Sequence, residues 1–245
     1  SSSTAINQNA GAPEELEAKA LEDFRDKARE LCESSPGFRA QTDSDLQRFL
    51  RARGYRVADA LELLRASEAW RLENLPVDPA GIQAEINSGL AWICGSDKRN
   101  RAAIYIDVTH LDKNTRDLDR TTKFAVWIIS SAITKSQSQG AEQVAFIFDL
   151  KGFGIVTMDY ALVKNLLYLL SNAFPERTAL MLMAHSPVVF KSFWAAIRPW
   201  IDEGTASKIR FLSNDGLSEF FDSSSLPKQL GGPLGAPLNA GVPLA

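Results

Sequence analysis

An arginine on the apolar face of a predicted helix is the first candidate for chemistry in this sequence. Residues 45–53 place four side chains at i, i+3, i+4 and i+7 of one helical face: Leu46, Phe49, Leu50 and Arg53. Arg48 and Arg51 are predicted to point away from that face. Burying an unpaired charge costs several kcal/mol. Arg53 therefore either contacts an anionic ligand, or forms a salt bridge or reaches solvent at the helix C-terminus.

A second polar pair stands near the end of the chain. Thr205 and Lys208 lie at i and i+3, so that a hydroxyl and an ammonium share one helix face. The pair suits a phosphate group, although an ordinary solvated surface is the commoner explanation for two such residues.

Other polar positions have simpler structural interpretations. Gly152 and Gly154 follow a buried strand but lack the third glycine of a dinucleotide-binding turn, which favours a plain strand-to-helix turn. Asp149, at the end of that strand, suits hydrogen bonds to the turn. His185 precedes Ser186 without the Gly-x-Ser-x-Gly motif of a hydrolase, so we expect no catalytic residue and no enzyme.

The composition excludes several classes of protein. With 245 residues, 45% of them hydrophobic, the chain can bury a large core and a small helical module. A net charge of -3 gives no basic surface for nucleic acid. The 2 cysteines and 2 histidines lack metal-ligand spacing, so we expect neither metal nor cofactor. No signal peptide or membrane-spanning apolar run is evident, which favours a cytoplasmic protein.

The elements that must position these residues change character near residue 86. Residues 13–86 are predicted as helices, with Pro13 opening the first and Thr42 starting the helix of Arg53. A hairpin follows, and then helices alternate with buried strands at 143–149 and 178–184 and with a further strand at 208–212. This alternation predicts an α/β fold with a mostly parallel sheet.

Two of the predicted helices, 157–173 and 187–201, are apolar nearly all round. Their large side chains include Leu162, Leu166, Phe190, Phe193, Trp194 and Ile197. One face of each helix can cover the sheet. The other indicates a ligand cavity or a membrane-contacting surface, with ordinary burial or a dimer interface as the alternative.

An ordered set of motifs resembles the CRAL-TRIO lipid-binding family. The helical motif at 46–53 is followed, in the family's order, by segments 148–152, 174–177, 186–187, 198–200, 205–208 and 226–232. The resemblance implies an N-terminal helical module at 13–86, a CRAL-TRIO α/β domain at 87–232 and flexible tails at 1–12 and 233–245. It also implies a lipid pocket closed by a mobile gate helix at 187–201.

Within this family, the chain resembles most the phosphatidylinositol-transfer branch of the fungal secretory type. The resemblance implies that the protein binds one phosphatidylinositol and transfers it between membranes or presents it to lipid kinases. It also implies a monomer that associates transiently with membranes. The implied headgroup residues are Arg53, Glu176, Thr205 and Lys208. The implied pocket and gate residues are Val144, Phe146, Leu162, Leu166, Phe190, Phe193, Trp194 and Ile197.

The sequence departs from this branch on one strand. Family members that exchange phosphatidylinositol for phosphatidylcholine carry hydroxyl residues there, whereas this chain has Val144 and Phe146. We therefore predict weak or no binding of phosphatidylcholine. The departure keeps an alternative open, a carrier of another hydrophobic ligand such as a sterol, tocopherol, retinoid or haem. For haem, the sequence offers no axial ligand that can be assigned to the pocket.

Overall fold

The described part of the chain forms two compact units. The computed structural model describes residues 11–212 and 216–235. A helical unit comprises residues 11–75 and 171–176, and a sheet unit comprises the other described residues. Most residues of the two predicted tails lie outside the described residues. Where the tails are described, Gly11 begins a helix and Leu234 forms an isolated bridge with Pro227.

Three helices that pack on one another build the helical unit: α1 (Gly11–Ser34), α2 (Asp43–Ala52) and α3 (Val57–Asn74). Their buried side chains include Phe24, Leu31, Leu46, Phe49, Leu50, Leu63 and Leu64. A capping box of Thr42 and Asp45 begins α2, because each side chain satisfies a backbone N–H of the other residue.

Arg48 corrects the prediction for α2. We expected this side chain in solvent, but it is only 8% exposed. Its guanidinium donates to Asp45 Oδ1 and to the carbonyl of Pro175, both at 2.9 Å, and lies 4.9 Å from the centre of the Phe49 ring. The prediction was wrong because Pro175 is 127 residues away along the chain, which helical periodicity cannot reveal.

The sheet unit contains a five-stranded sheet in the order β1-β2-β3-β4-β5. Its strands are β1 (Ala91–Ser96), β2 (Ala102–Asp107), β3 (Val144–Asp149), β4 (Thr178–Ala184) and β5 (Ile209–Phe211). The pair β1–β2 is antiparallel, and the other three pairs are parallel. The predicted mostly parallel sheet is therefore confirmed.

Five helices accompany the sheet: α4 (Gln83–Ile86), α5 (Leu118–Ser138), α6 (Tyr160–Tyr168), α7 (Phe190–Ile197) and α8 (Glu203–Ala206). The predicted single helix over 157–173 is divided in the structure. A 3₁₀ turn occupies Ile155–Thr157, α6 starts after its N-cap Asp159, and a π-helical turn occupies Leu169–Ala173. The cap decides the start of α6, because the Asp159 carboxylate accepts from the backbone N–H of Leu162.

The two faces of the sheet have different roles. Alternate residues of β3, Ala145 and Ile147, belong to a close-packed core with residues of the C-terminal segment such as Leu217 and Phe221. The intervening residues face the opposite side. Side chains in parallel register form a row across four strands on that side: Ile104, Phe146, Met181 and Ile209.

Candidate functional site

A large apolar cavity lies on this second face of the sheet. The row from Ile104 to Ile209 forms part of its lining, together with side chains from α5, α6 and α7. The centres of water-sized molecules can reach about 210 Å³ of it, and its empty space, open mouth included, is about 1270 Å³. One water needs only about 10–15 Å³ of such centre volume. The cavity is therefore a ligand-sized space rather than a packing defect.

The polar groups that line the cavity already have partners within the protein. Asp159 is 4% exposed, and both of its oxygens accept from the Arg116 guanidinium, at 2.6 and 2.9 Å. Burial alone would raise its pKa, but the hydrogen bonds from Arg116 and from the backbone N–H of Leu162, together with the charge of Arg116, outweigh that effect and hold the pKa of Asp159 below its usual range. The threonine hydroxyls in the lining are also bonded, namely Thr121, Thr157 and Thr205.

This arrangement determines what the cavity can hold. Apart from these four residues and the indole N–H of Trp194, the lining side chains are apolar. A ligand inside the cavity would gain the hydrophobic free energy of burial, at about 0.8 kcal/mol per methylene group, and would find almost no vacant hydrogen-bonding group. The cavity therefore suits hydrocarbon chains or another largely apolar molecule.

Helix α7 covers the cavity with aromatic side chains. Phe190 and Phe193 are each 4% exposed and contact the Phe153 ring, with centroid distances of 4.9 and 5.2 Å. Phe193 also packs against Tyr160 at 4.9 Å. The predicted gate segment 187–201 thus contains a short helix whose inner face lines the cavity. Its predicted motion remains a prediction.

Seven of the eight predicted pocket and gate residues are found in the cavity lining: Phe146, Leu162, Leu166, Phe190, Phe193, Trp194 and Ile197. Val144 is the exception. It is fully buried at the first residue of β3, on the same side of the strand as Phe146, but it lies beyond the cavity. The alternation of side chains along a strand predicts the side of β3 on which Val144 lies, but it does not predict how far along β3 the cavity extends. Phe148, which was not predicted, lines the cavity and stacks on Phe146 at 6.1 Å.

The four predicted headgroup residues are divided between the two units. Arg53 follows α2 half-buried, and its Nη1 donates to the carbonyl of Ala52 at 3.0 Å. Glu176 has a left-handed backbone with φ of 56°. In the sheet unit, Thr205 lies in the cavity lining, and the backbone N–H of Lys208 donates to its carbonyl at 3.0 Å. A common headgroup role for these residues remains a prediction.

Three residues of the helical unit hold the segment that leads to Glu176. Arg48 donates to the carbonyl of Pro175, and the hydroxyl of Ser67 donates to the carbonyl of Ala173 at 3.3 Å. The Trp70 ring packs edge-on against Phe174 at 5.6 Å. Sequence reasoning did not find this set. Ser67, a small polar residue on a buried helix face, was a local signal of it.

A buried polar network lies at the carboxyl ends of β3 and β4. Asp149 is 3% exposed, and it accepts from the Tyr105 hydroxyl at 2.9 Å and from the backbone N–H of Lys151 at 3.1 Å. His185 Nδ1 contacts the same carboxylate at 2.8 Å. The tautomer with its proton on Nδ1 lets the ring donate to this carboxylate. Burial and the neighbouring Asp149 both raise the pKa of Tyr105.

This network does not resemble a hydrolase site. Within residues 11–212 and 216–235, no serine or cysteine side chain is hydrogen-bonded to His185. The left-handed φ of 52° at His185 places its ring over Asp149 at the point where the chain leaves β4 for the segment of α7. The predicted turn role of Asp149 is confirmed by its bond to Lys151.

The fold and the cavity together define a class of protein: an α/β domain that encloses an apolar ligand space beneath a short helix. The profile of the CRAL/TRIO domain matches residues 86–232. The chain therefore belongs to the CRAL/TRIO family.

Several relatives can be named. The chain is 28% identical over 205 residues to phosphatidylinositol transfer protein CSR1 of Eremothecium gossypii, a match that covers 78% of this chain and 47% of CSR1. It is 27% identical over 248 residues to SEC14 cytosolic factor of Candida glabrata, covering 91% and 80%. A match to human tyrosine-protein phosphatase non-receptor type 9, at 23% identity, covers only 32% of that enzyme. The chain thus spans about half the length of CSR1.

A solved structure supports the fold. The crystal structure of Sfh5 superposes with a TM-score of 0.68 at 14% sequence identity, covering 93% of this chain and 89% of Sfh5. At this identity the likeness supports the fold alone. Among the described residues, no helix is both long enough and apolar enough to cross a bilayer.

Proposed function

We propose that this protein binds a single phosphatidylinositol molecule and transfers it between membranes or presents it to lipid kinases. The observation that carries the proposal is the nearly complete apolar lining of the cavity beneath α7, in which the carboxylate of Asp159 and the three threonine hydroxyls are hydrogen-bonded within the protein. Two acyl chains would bury many methylene groups there, each contributing about 0.8 kcal/mol. The name of CSR1 adds the identity of the lipid headgroup to this proposal.

The headgroup would be bound by Arg53, Glu176, Thr205 and Lys208. A guanidinium and an ammonium form charge-assisted hydrogen bonds with phosphate oxygens, which are among the stronger polar contacts in proteins. The Thr205 hydroxyl lies in the cavity lining and donates to Asp202 Oδ2 at 2.7 Å, so it would turn from that carboxylate to donate to a phosphate at the polar end of a lipid. Arg53 would then gain an anionic partner in the ligand, besides the carbonyl of Ala52 to which it donates.

The protein would act without catalysis and without a cofactor. Its partners would be the lipid and, transiently, a membrane surface, and it would work as a monomer in the cytoplasm. The name of the SEC14 cytosolic factor supports the location, and the absence of a spanning helix from the described residues is compatible with it.

The first test is native mass spectrometry with lipid extraction, after incubation of the protein with vesicles of mixed phospholipids. We expect a complex of one protein with one phosphatidylinositol. Arg53→Ala should lose this lipid, whereas the matched control Arg51→Ala, which changes an exposed neighbour, should keep it. Equal phosphatidylinositol occupancy in the two variants would refute the headgroup assignment.

A second candidate function is the transport of a different hydrophobic molecule, such as a sterol, tocopherol, retinoid or haem. The nearly complete apolar lining favours it, because a ligand without a phosphate would also fit there. Haem is the least suited of these ligands, since no Tyr, His or Cys occurs among the lining residues and only Met181 and Met183 could ligate iron. Such a ligand in place of phosphatidylinositol, unaffected by Arg53→Ala, would support this candidate.

A further inference from the structure

Large apolar side chains are exposed beside the cavity, in three segments of the sheet unit. We call them the apolar rim: Ile155, Val156, Val188, Val189 and Trp200. Their exposed fractions are 73%, 47%, 80%, 40% and 41% respectively. Exposed apolar side chains scattered singly need no explanation. A group of five around one ligand cavity indicates a surface that contacts something else.

Ring contacts tie the three segments of the rim together. Phe153, two residues before Ile155, packs on Phe190 of α7 at 4.9 Å. Tyr160 of α6 contacts Trp200 at 5.9 Å. The turn that carries Ile155 and Val156 therefore lies beside α7, but it is not part of that helix.

The backbone fixes this turn independently of α7. The carbonyl of Val156 accepts from the N–H of Lys113 at 2.9 Å, and the N–H of Thr157 donates to the carbonyl of Gly154 at 3.1 Å. The two exposed side chains are thus presented from a hydrogen-bonded turn.

The charged residues of the same segments are nearly all cations. Lys151, Lys164 and Lys191 are exposed, and the ammonium of Lys164 lies 4.9 Å from the centre of the Trp200 ring. Residues 150–168 and 186–201 contain one acid, Asp159, which is buried and paired with Arg116. Two acids follow Trp200: Glu203 is paired with Arg198, and Asp202 caps α8, so neither neutralises the three lysines. A locally positive region in a chain of net charge -3 indicates an anionic partner.

We propose that the apolar rim docks on an anionic membrane surface, and that Ile155 and Val156 are a fixed anchor distinct from α7. Apolar side chains flanked by lysines, with a tryptophan among them, are typical of surfaces that insert at the boundary of headgroups and acyl chains. Because the anchor belongs to another segment, the protein stays docked when α7 moves aside. This inference rests on the proposed lipid-transfer function.

The anchor is tested by flotation with vesicles of phosphatidylcholine and phosphatidylserine. The double variant Ile155→Ser, Val156→Ser should bind about 30-fold more weakly, which corresponds to two side chains half-removed from water. Leu16→Ser is the matched control, because Leu16 is 69% exposed in the helical unit, and it should bind as the wild type does. Equal binding by the double variant and the control overturns the proposal.

The charge requirement is tested with glutamine substitutions. Each of Lys151→Gln, Lys164→Gln and Lys191→Gln should weaken binding to the anionic vesicles about fivefold and should hardly change binding to phosphatidylcholine alone. Lys228→Gln, an exposed lysine in the C-terminal segment, is the control. Equal affinity of the wild type for both kinds of vesicle overturns the anionic preference.

The same samples separate the docking surface from the proposed function. Mass spectrometry of the double variant should still find bound phosphatidylinositol, because its cavity is unchanged. A wild type that floats with vesicles but never acquires phosphatidylinositol leaves the docking surface standing and refutes the function. If the double variant instead loses self-association in solution and keeps vesicle binding, the rim is an interface between protein copies and the proposal fails.

Discussion

Replacement of Arg48 by methionine is expected to lower the free energy of unfolding by about 2–3 kcal/mol. The substitution keeps much of the aliphatic stem but removes the guanidinium, which donates to Asp45 and to the buried carbonyl of Pro175 at 2.9 Å each. Two hydrogen bonds from a charged donor contribute about 3–6 kcal/mol. Arg48 Nε is buried without a partner, so its removal returns about 1–3 kcal/mol.

The measurement is urea denaturation, followed by circular dichroism, of the wild type, Arg48→Met and the control Arg51→Met. Both arginines lie on α2, three residues apart, but Arg51 is exposed. Its substitution should change the free energy of unfolding by no more than about 0.5 kcal/mol. If the two variants differ by less than that, Arg48 does not stabilise segment 171–176, and the reasoning from its buried contacts is refuted.

Three further predictions concern the lipid, the pH dependence and the thiols. Phosphatidylcholine transfer should be weak or absent, because Phe146 faces the cavity without a hydroxyl, and transfer counts equal to those of phosphatidylinositol would contradict this. Burial raises the pKa of Glu68, but the hydrogen bonds and charge of Arg39 and the hydrogen bond from Arg71 together outweigh it, and the net pKa lies below the usual range. Glu68 therefore stabilises the fold above its unfolded-state pKa of about 4.3, and this contribution is lost as the pH falls through the folded-state pKa. In denaturation experiments at acid pH, the free energy of unfolding of Glu68→Gln should therefore fall less steeply with decreasing pH than that of the wild type. Burial raises the pKa of Cys94 to about 11, so iodoacetamide at pH 8 should modify it only as fast as the protein unfolds, and faster labelling would show an accessible thiolate.

The sequence predicts the sheet well because its strands are continuous apolar runs bounded by turn residues. The predicted strand at 178–184 has the bounds of β4, and the hairpin between β1 and β2 was expected from its polar connection. Patterns of this kind are local, and burial on both faces makes them conspicuous.

Features that depend on distant partners could not be predicted in the same way. Arg48 is buried because of Pro175, and the extent of the cavity, which excludes Val144, depends on helices from elsewhere in the chain. The π-helical turn at Leu169–Ala173 has no periodic signature distinct from an α-helix in a stretch this short. The proposed headgroup residues came from family resemblance, since no spacing along the chain relates Arg53 to Lys208.

The cavity also links the folding of the protein to its cargo. An apolar molecule that fills the cavity binds only the folded state. When the concentration of free ligand is a hundred times the dissociation constant, binding therefore adds about 2.7 kcal/mol to the free energy of unfolding. Stripped protein should accordingly melt at a lower temperature than loaded protein in scanning calorimetry. In a cell, the fraction of unfolded chains available to proteases would fall as the supply of ligand rises. The abundance of this protein would then follow the availability of the molecule that it carries, without any dedicated regulator.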